Sequence, residues 1–246
     1  HELILQETLR NLYDGMPILE IDKALIISAR TLVEQDPNYT YATARFLLRT
    51  LYTEALDFLE LPTAVYTNNH AGVYHHYFQH YIKRGVALEL LDPQLRSFDL
   101  EKLGKALLPE RDQQFTYLSL QTLYDRYFLH ADDVRFELPQ AFFMRIAMGL
   151  AQQESNKEDR AIEFYQLLSS FDYMASTPTL FNAGTLRPQL SSCFLTTVAD
   201  DLDQIYSAIK DNALLSKFAG GLGNDWTPVR AMGARIKGTN GKSLGV

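Results

Sequence analysis

From residue 1 to about residue 170, apolar residues recur three and four positions apart, the period of an amphipathic helix, and strand-like alternation is scarce. Ile18, Ile21, Leu25, Ala29 and Leu32 fall on one stripe. Pro37 breaks the pattern and DPNYTYATARFLLRTLYTEALDFL restarts it, which predicts two helices packed as a hairpin. A loop around LPTAVYTNNH leads into the aromatic-rich VYHHYFQHYIKRG, and Asp99 in FDLEKLGKAL stands where a helix cap belongs. In ELPQAFFMRIAMGLAQ, Pro139 suits a first helical turn, with Phe143, Ile146, Ala147 and Leu150 down one face. Ser155 and Glu158 have the spacing of a capping box for the helix that follows.

The texture changes after about Phe171. MASTPTLFNAGTLRPQLSS is rich in the residues of ordered turns, and such loops often carry function. SSCFLTTV then reads as a short buried strand, DDLDQIYSAIKDNALLSKF as a helix opening on two acids, and AGGLGNDWTPVRAMG as a glycine-rich return. A strand, a helix and a further short segment imply the start of an α/β domain that is unfinished at Val246. Both ends read as cut, since the chain opens on His1 and closes on GTNGKSLGV.

Composition narrows the function classes. With 46% hydrophobic and 12% aromatic residues in 246, the chain can build a core and is not a disordered segment. A net charge of -7 argues against a partner bound through a nucleic-acid backbone. The single cysteine, Cys193, excludes an internal disulfide framework and fits a cytoplasmic protein. No apolar run approaches the roughly 18 residues of a membrane span, and HELILQETLR lacks the character of a signal peptide, so no membrane association is expected.

Several residues carry chemistry under two readings. Asp200 and Asp201 sit where a helix begins; they cap it, or they accept hydrogen bonds from a ligand's sugar or base. The run Ala219 to Gly223 matches no phosphate-loop or dinucleotide fingerprint, so a tight turn competes with close backbone approach to a ligand. Lys217, Arg230 and Lys237 pair with phosphates or are simply solvated. By chemistry alone Cys193 is a small buried hydrophobe. His70, His75, His76, His80 and His130 lack metal-ligand spacing, and His76 and His80 read as part of an aromatic packing face. No carboxylate pair stands out as acid and base.

STPTLFNAG, followed in order by QLSSCFL, DDLDQIY, LLSKFAGGLGNDW, VRAMG and IKGTNGKS, resembles the large subunit of class I ribonucleotide reductase. ERDQQFTYLSLQTLYDRYFL and ELPQAFFMRIAMGLA extend the resemblance through the helical part, and the first fifty or so residues look like the end of an ATP-cone module. The resemblance implies three regions: a cone-like remnant at 1–57, a helical amino-terminal domain at 58–188, and from 189 to 246 the first strand-helix units of an incomplete ten-stranded α/β barrel. The fold expected is therefore mainly α. The cone-like start and SSCFLTTVADDLD favour class I over the cobalamin-dependent class II.

By the same resemblance, Cys193 matches a cysteine that joins a partner on a later strand and becomes a disulfide in each turnover. Thr177 and Ser192 match positions that hold the substrate's diphosphate and ribose, and Gly221 a glycine beside the nucleotide. Asp200, Asp201, Leu202, Lys217, Arg230 and Lys237 match a specificity site for a deoxynucleoside triphosphate, and the helix 203–217 an interface between two copies. The implied reaction is reduction of ribonucleoside diphosphates by thiyl-radical chemistry under dNTP and ATP control. No cofactor is implied in this chain. A metal-containing small subunit would supply the radical, thioredoxin or glutaredoxin the electrons, and the rest of the large subunit the thiyl cysteine, so the chain alone should be catalytically incomplete. A regulatory nucleotide-binding and dimerisation module is the rival reading, and a helical interaction protein the third. An opened barrel also predicts uncovered strand edges and poor solution behaviour.

Overall fold

The computed structural model describes residues 2–62, 70–217 and 220–245. The chain divides into two compact units: His1–Met174 with Ala183–Leu186, and Ala175–Asn182 with Arg187–Val246. The first is helical. The second is built on a strand, a helix and a strand.

In the helical unit, α1 (Glu2–Asn11) packs on α2 (Ile18–Thr31) around Ile4, Ala29 and Leu32, with Leu25, Tyr39, Ala42 and Phe46 against them. The expected stripe is therefore real at Ala29 and Leu32 and half-buried at Ile21 and Leu25; the side chain of Ile18 lies outside the described residues. The next helix, α3 (Tyr39–Phe58), starts two residues past Pro37 and packs on α2, giving the expected hairpin. It also packs on α6 (Tyr117–Arg126). Most of the LPTAVYTNNH loop lies outside the described residues.

The aromatic-rich segment forms α4 (His70–Ala87), which buries Val73, Tyr74, Tyr77, Phe78, Tyr81 and Ile82. Rings of Tyr74 and Tyr77 meet edge-on at 5.9 Å, and those of Tyr77 and Tyr81 stack at 5.7 Å. His76 and His80 are exposed, which corrects their expected packing role. The buried stripe runs through positions 74, 77, 78 and 81, and a pair one turn apart at 76 and 80 falls outside it.

Asp99 caps α5 (Leu100–Ala106) as expected, accepting from the Lys102 N–H at 2.9 Å. A two-residue hairpin follows α6, with β1 (His130–Ala131) antiparallel to β2 (Val134–Arg135) and Asp132 and Asp133 both at positive φ. Pro139 opens α7 (Pro139–Ala151). Every residue from Pro139 to Met148 is buried, so the single apolar face expected there is wrong in kind. Helices α4 and α8 (Lys157–Ser169) and the turn at Pro109–Gln114 surround α7, while Leu150 is 39% exposed. The capping box at Ser155 and Glu158 does not form. Asn156 takes the cap position, one residue later than the box requires, and Glu158 Oε1 accepts instead from the Asp99 N–H at 3.3 Å.

The second unit contains α9 (Thr177–Asn182), then β3 (Cys193–Thr197), α10 (Leu202–Ser216) and β4 (Gly221–Asp225). The strands β3 and β4 are parallel, with Cys193 opposite Gly221 and Thr197 opposite Asp225. This is the start of the α/β domain that the pattern implied. Two expectations fail here. The strand read as buried is open: Leu195 is 88% exposed, because among the described residues β3 has one neighbouring strand and nothing layered over that face. The glycine run read as a tight turn is largely strand. A Cβ on Gly223 would come within 2.7 Å of the Leu195 side chain, and one on Gly220 equally near the Phe194 ring, so these glycines make room for β3 side chains.

The described residues are mainly helical, with two two-stranded sheets and no closed sheet. Among them no helix is long and apolar enough to cross a membrane.

Candidate functional site

Ser192, Cys193 and Gly221 come together at the amino end of the parallel pair. The Gly221 N–H donates to Ser192 O at 2.7 Å, which aligns β4 with β3. In-register residues of neighbouring strands project to the same face, so Cys193 faces a residue without a side chain. A Cβ on Gly221 would meet Cys193 Sγ and Ser192 O at 3.3 Å each. Cys193 is exposed, with Sγ 3.8 Å from Ser192 Oγ, so the expectation of a buried hydrophobe gives way to an accessible thiol. Thr177 opens α9 and is exposed. Thr179 Oγ1 donates to Leu190 O at 3.2 Å and Asn182 Nδ2 to Gln189 O at 2.8 Å, tying α9 to the run that enters β3.

A second locus lies past the carboxyl ends of the strands, where open α/β sheets bind ligands. A cleft of about 380 Å³ is lined by Asp200, Asp201, Leu202, Ile205, Val229 and Arg230, with Ile236, Ser243 and Gly245 from the following hairpin. Asp201 caps α10, accepting from the Gln204 N–H at 3.1 Å, which fulfils the capping reading for one acid. Asp200 instead binds Arg230: Nε lies 3.0 and 2.8 Å from its two oxygens, and the Arg230 N–H donates to Oδ1 at 3.2 Å. That backbone bond, with the guanidinium beside it, holds Asp200 below the usual carboxylate range. Asp225 is likewise lowered, by its hydrogen bonds from Thr227.

Lys217 and Lys237 do not line this cleft. Lys217 closes the far end of α10, whose 15 residues span roughly 22 Å at about 1.5 Å per residue. Lys237 sits on the hairpin beside Ile236, near the Arg235–Lys242 bridge.

Two groups in the helical unit escaped the sequence reading. Asp112, wholly buried, accepts from Tyr52, Tyr74 and Gln140, and burial pushes its carboxyl up to about 6. Glu137 and Arg145 form an ion pair with no exposed surface, Nε to Oε1 at 2.7 Å. Asp112 is not flagged by periodicity because its partners lie 28 to 60 residues away, and Glu137 and Arg145, eight residues apart, leave as their only local hint a charged residue inside an apolar helix at Arg145. Among the described residues no cluster of His, Cys, Asp and Glu could hold a metal ion.

A helical unit followed by a parallel strand–helix–strand start, with a thiol at one end and an acid-lined cleft at the other, agrees with comparisons to known proteins. Residues 113–188 match the ribonucleotide reductase all-alpha domain and residues 191–246 the ribonucleotide reductase barrel domain, together more than half of the chain. The chain is 50% identical over 237 residues to the ribonucleoside-diphosphate reductase subunit alpha of Chlamydia muridarum, covering 96% of this chain and 22% of that protein. It is 47% identical to the Chlamydia pneumoniae subunit alpha, over 100% of this chain and 23% of that protein. The Helicobacter pylori subunit alpha is 40% identical over 94% of this chain and 28% of its own length. The chain belongs to the ribonucleotide reductase large-subunit family. It spans between a fifth and a third of the length of these relatives.

Proposed function

We propose that this chain is the amino-terminal part of a class I ribonucleotide reductase large subunit, which reduces ribonucleoside diphosphates once the rest of the barrel and a radical-generating, metal-containing small subunit join it. The observation that carries the reading is the exposed Cys193 thiol facing Gly221 in register, with Ser192 beside it. A second cysteine from the rest of the subunit completes a dithiol. Two thiols give up two electrons and two protons to become a disulfide, while the ribose 2'-hydroxyl leaves as water; thioredoxin or glutaredoxin then resets the pair by thiol exchange. Gly221 leaves room for a nucleotide above the thiol, and Thr177 and Ser192 supply neutral hydroxyls for its diphosphate and ribose.

The cleft at Asp200, Asp201, Leu202 and Arg230 is the site for a deoxynucleoside triphosphate that sets substrate choice, with the acids toward sugar and base and Arg230 toward phosphate. Lys217 and Lys237 join it from a second copy or after loop movement. Leu202, Tyr206 and Ile209, four and three apart on α10, leave an apolar stripe exposed (73%, 67% and 48%), which supports a homodimer through this helix.

The test is CDP reduction by the full-length subunit carrying this sequence, assayed with its small subunit and a reducing system. Native protein is expected to turn over and Cys193→Ser to lose turnover. Absence of turnover by native protein, with every partner folded, overturns the proposal and leaves the nucleotide-binding module.

A further inference from the structure

Ala183–Leu186 packs with the helices, while the stretches on both sides of it belong to the strand unit. This short turn is gripped from several directions. Arg145 donates from Nη1 to Ala183 O at 2.7 Å. Its Nε and Nη2 donate to Glu137 Oε1 and Oε2 at 2.7 and 3.3 Å, and Glu137 also accepts from the Tyr81 hydroxyl and from the Leu129 N–H. The Asp92 N–H donates to Gly184 O at 3.0 Å, and Leu91 bridges Thr185. Gly184 is at φ +76°, with Arg145 O 2.8 Å from where a Cβ would stand. A Cβ on Gly149 would lie 2.2 Å from the Gly184 nitrogen, so the turn's backbone lies directly on α7.

The two arms leaving this turn are stitched together by Asn182 to Gln189 and Thr179 to Leu190. One arm begins at Thr177; the other runs into Ser192 and Cys193. We infer that Arg145, held in place by Glu137, is a positioning residue for this loop: by fixing the Ala183 carbonyl it fixes the point from which both arms start, and with it the spacing of Thr177 from Ser192 and Cys193. The inference rests on the reductase reading of those three residues. A buried ion pair contributes little more stability than well-packed apolar residues of the same volume. A pair that only fills the core is therefore replaceable as a unit, whereas a pair that fixes a loop is not.

The double variant Glu137→Gln/Arg145→Met, made in the full-length subunit and assayed with the small subunit, separates these roles. We expect it to fold, with amide hydrogen exchange faster across 177–192 but unchanged in α4 and α8, and KM for CDP raised about tenfold, since small misplacements of a positioned group cost that much or more. Exchange across 177–192 and KM both within about twofold of native would overturn the inference. Should the double variant not fold, Gly184→Ala takes its place: it keeps the ion pair but drives a Cβ into Arg145 O, and the same rise, or its absence, decides. Native enzyme that fails to reduce CDP counts against the proposed function, while the exchange comparison still decides whether Arg145 holds the loop.

Discussion

The helical unit and the strand unit treat their apolar side chains in opposite ways. Around α7, ten consecutive residues from Pro139 to Met148 are buried, and even an arginine there is wholly covered. On β3, burial alternates between exposed and intermediate and no residue of the strand is buried, with Leu195 the most open at 88%. One unit has closed its own core. The other leaves the Cys193 thiol and Leu195 open to solvent, so substitutions in the two units should differ in cost even where the residue types are alike.

The largest contrast comes from Arg145→Ala. Removing the guanidinium leaves the buried Glu137 without its partner cation, with Tyr81 and Leu129 as its remaining donors, and breaking such a pair costs about 3–5 kcal/mol. Urea unfolding of the chain measures this directly. A loss under about 1 kcal/mol would mean that water reaches Glu137 and that the helical core is less closed than its burial implies.

Asp112 should give the helical unit a pH dependence of its own. Its folded value of about 6 lies above the ordinary carboxylate value of about 3.9. The contribution is therefore fully present below pH ~4 and is lost as pH rises through about 6, a difference on the order of 3 kcal/mol. Asp112→Asn is expected to flatten the slope of stability against pH in that window. A variant that keeps the native slope would assign the titration to another group.

The two units should agree where the interaction is local. Asp99 caps α5 and Asp201 caps α10 through the same side-chain-to-N3 bond, at 2.9 and 3.1 Å. Replacing either by alanine is expected to cost about 1 kcal/mol in thermal unfolding. A much larger loss at Asp201 would show that the carboxylate does more in the cleft than cap.

These caps explain what was legible in the sequence. Asp99, Asp201 and Pro139 act on backbone groups within three residues, and the Pro37 break and the restart at α3 are equally local. The capping box failed by one residue: Asn156 takes the cap position, and the Glu158 carboxylate accepts from the Asp99 N–H, a partner 59 residues away that no local pattern reveals. Periodicity described α7 as one-faced, since it cannot count the neighbours that surround a helix. The apolar run of β3 read as buried for the related reason that what covers a strand is set by other strands. The glycines of β4 were ambiguous because their cause, the Phe194 and Leu195 side chains, lies on the neighbouring strand. At the candidate site, Cys193, Ser192 and Gly221 lie together, and Asp200, Asp201, Leu202 and Arg230 share a cleft, but Lys217 and Lys237 do not line it.

The smallest effect is expected at Leu195, and it is the sharpest test of the contrast. Its side chain is 88% exposed and leans over Gly223, so truncation removes little area from water. In this chain Leu195→Ala should change stability by no more than about 0.5 kcal/mol. In the full-length subunit, where the proposed function covers this face with the remaining barrel strands, the same truncation becomes a core cavity and should cost about 2–5 kcal/mol. Equal costs in the two settings would break the comparison at its root. A small cost in both would mean that β3 stays open in the assembled subunit and that the thiol two residues before it serves something other than a closed barrel. A large cost in both would mean that this chain already buries Leu195 against a second copy, a reading that sedimentation of the variant and native chains would separate.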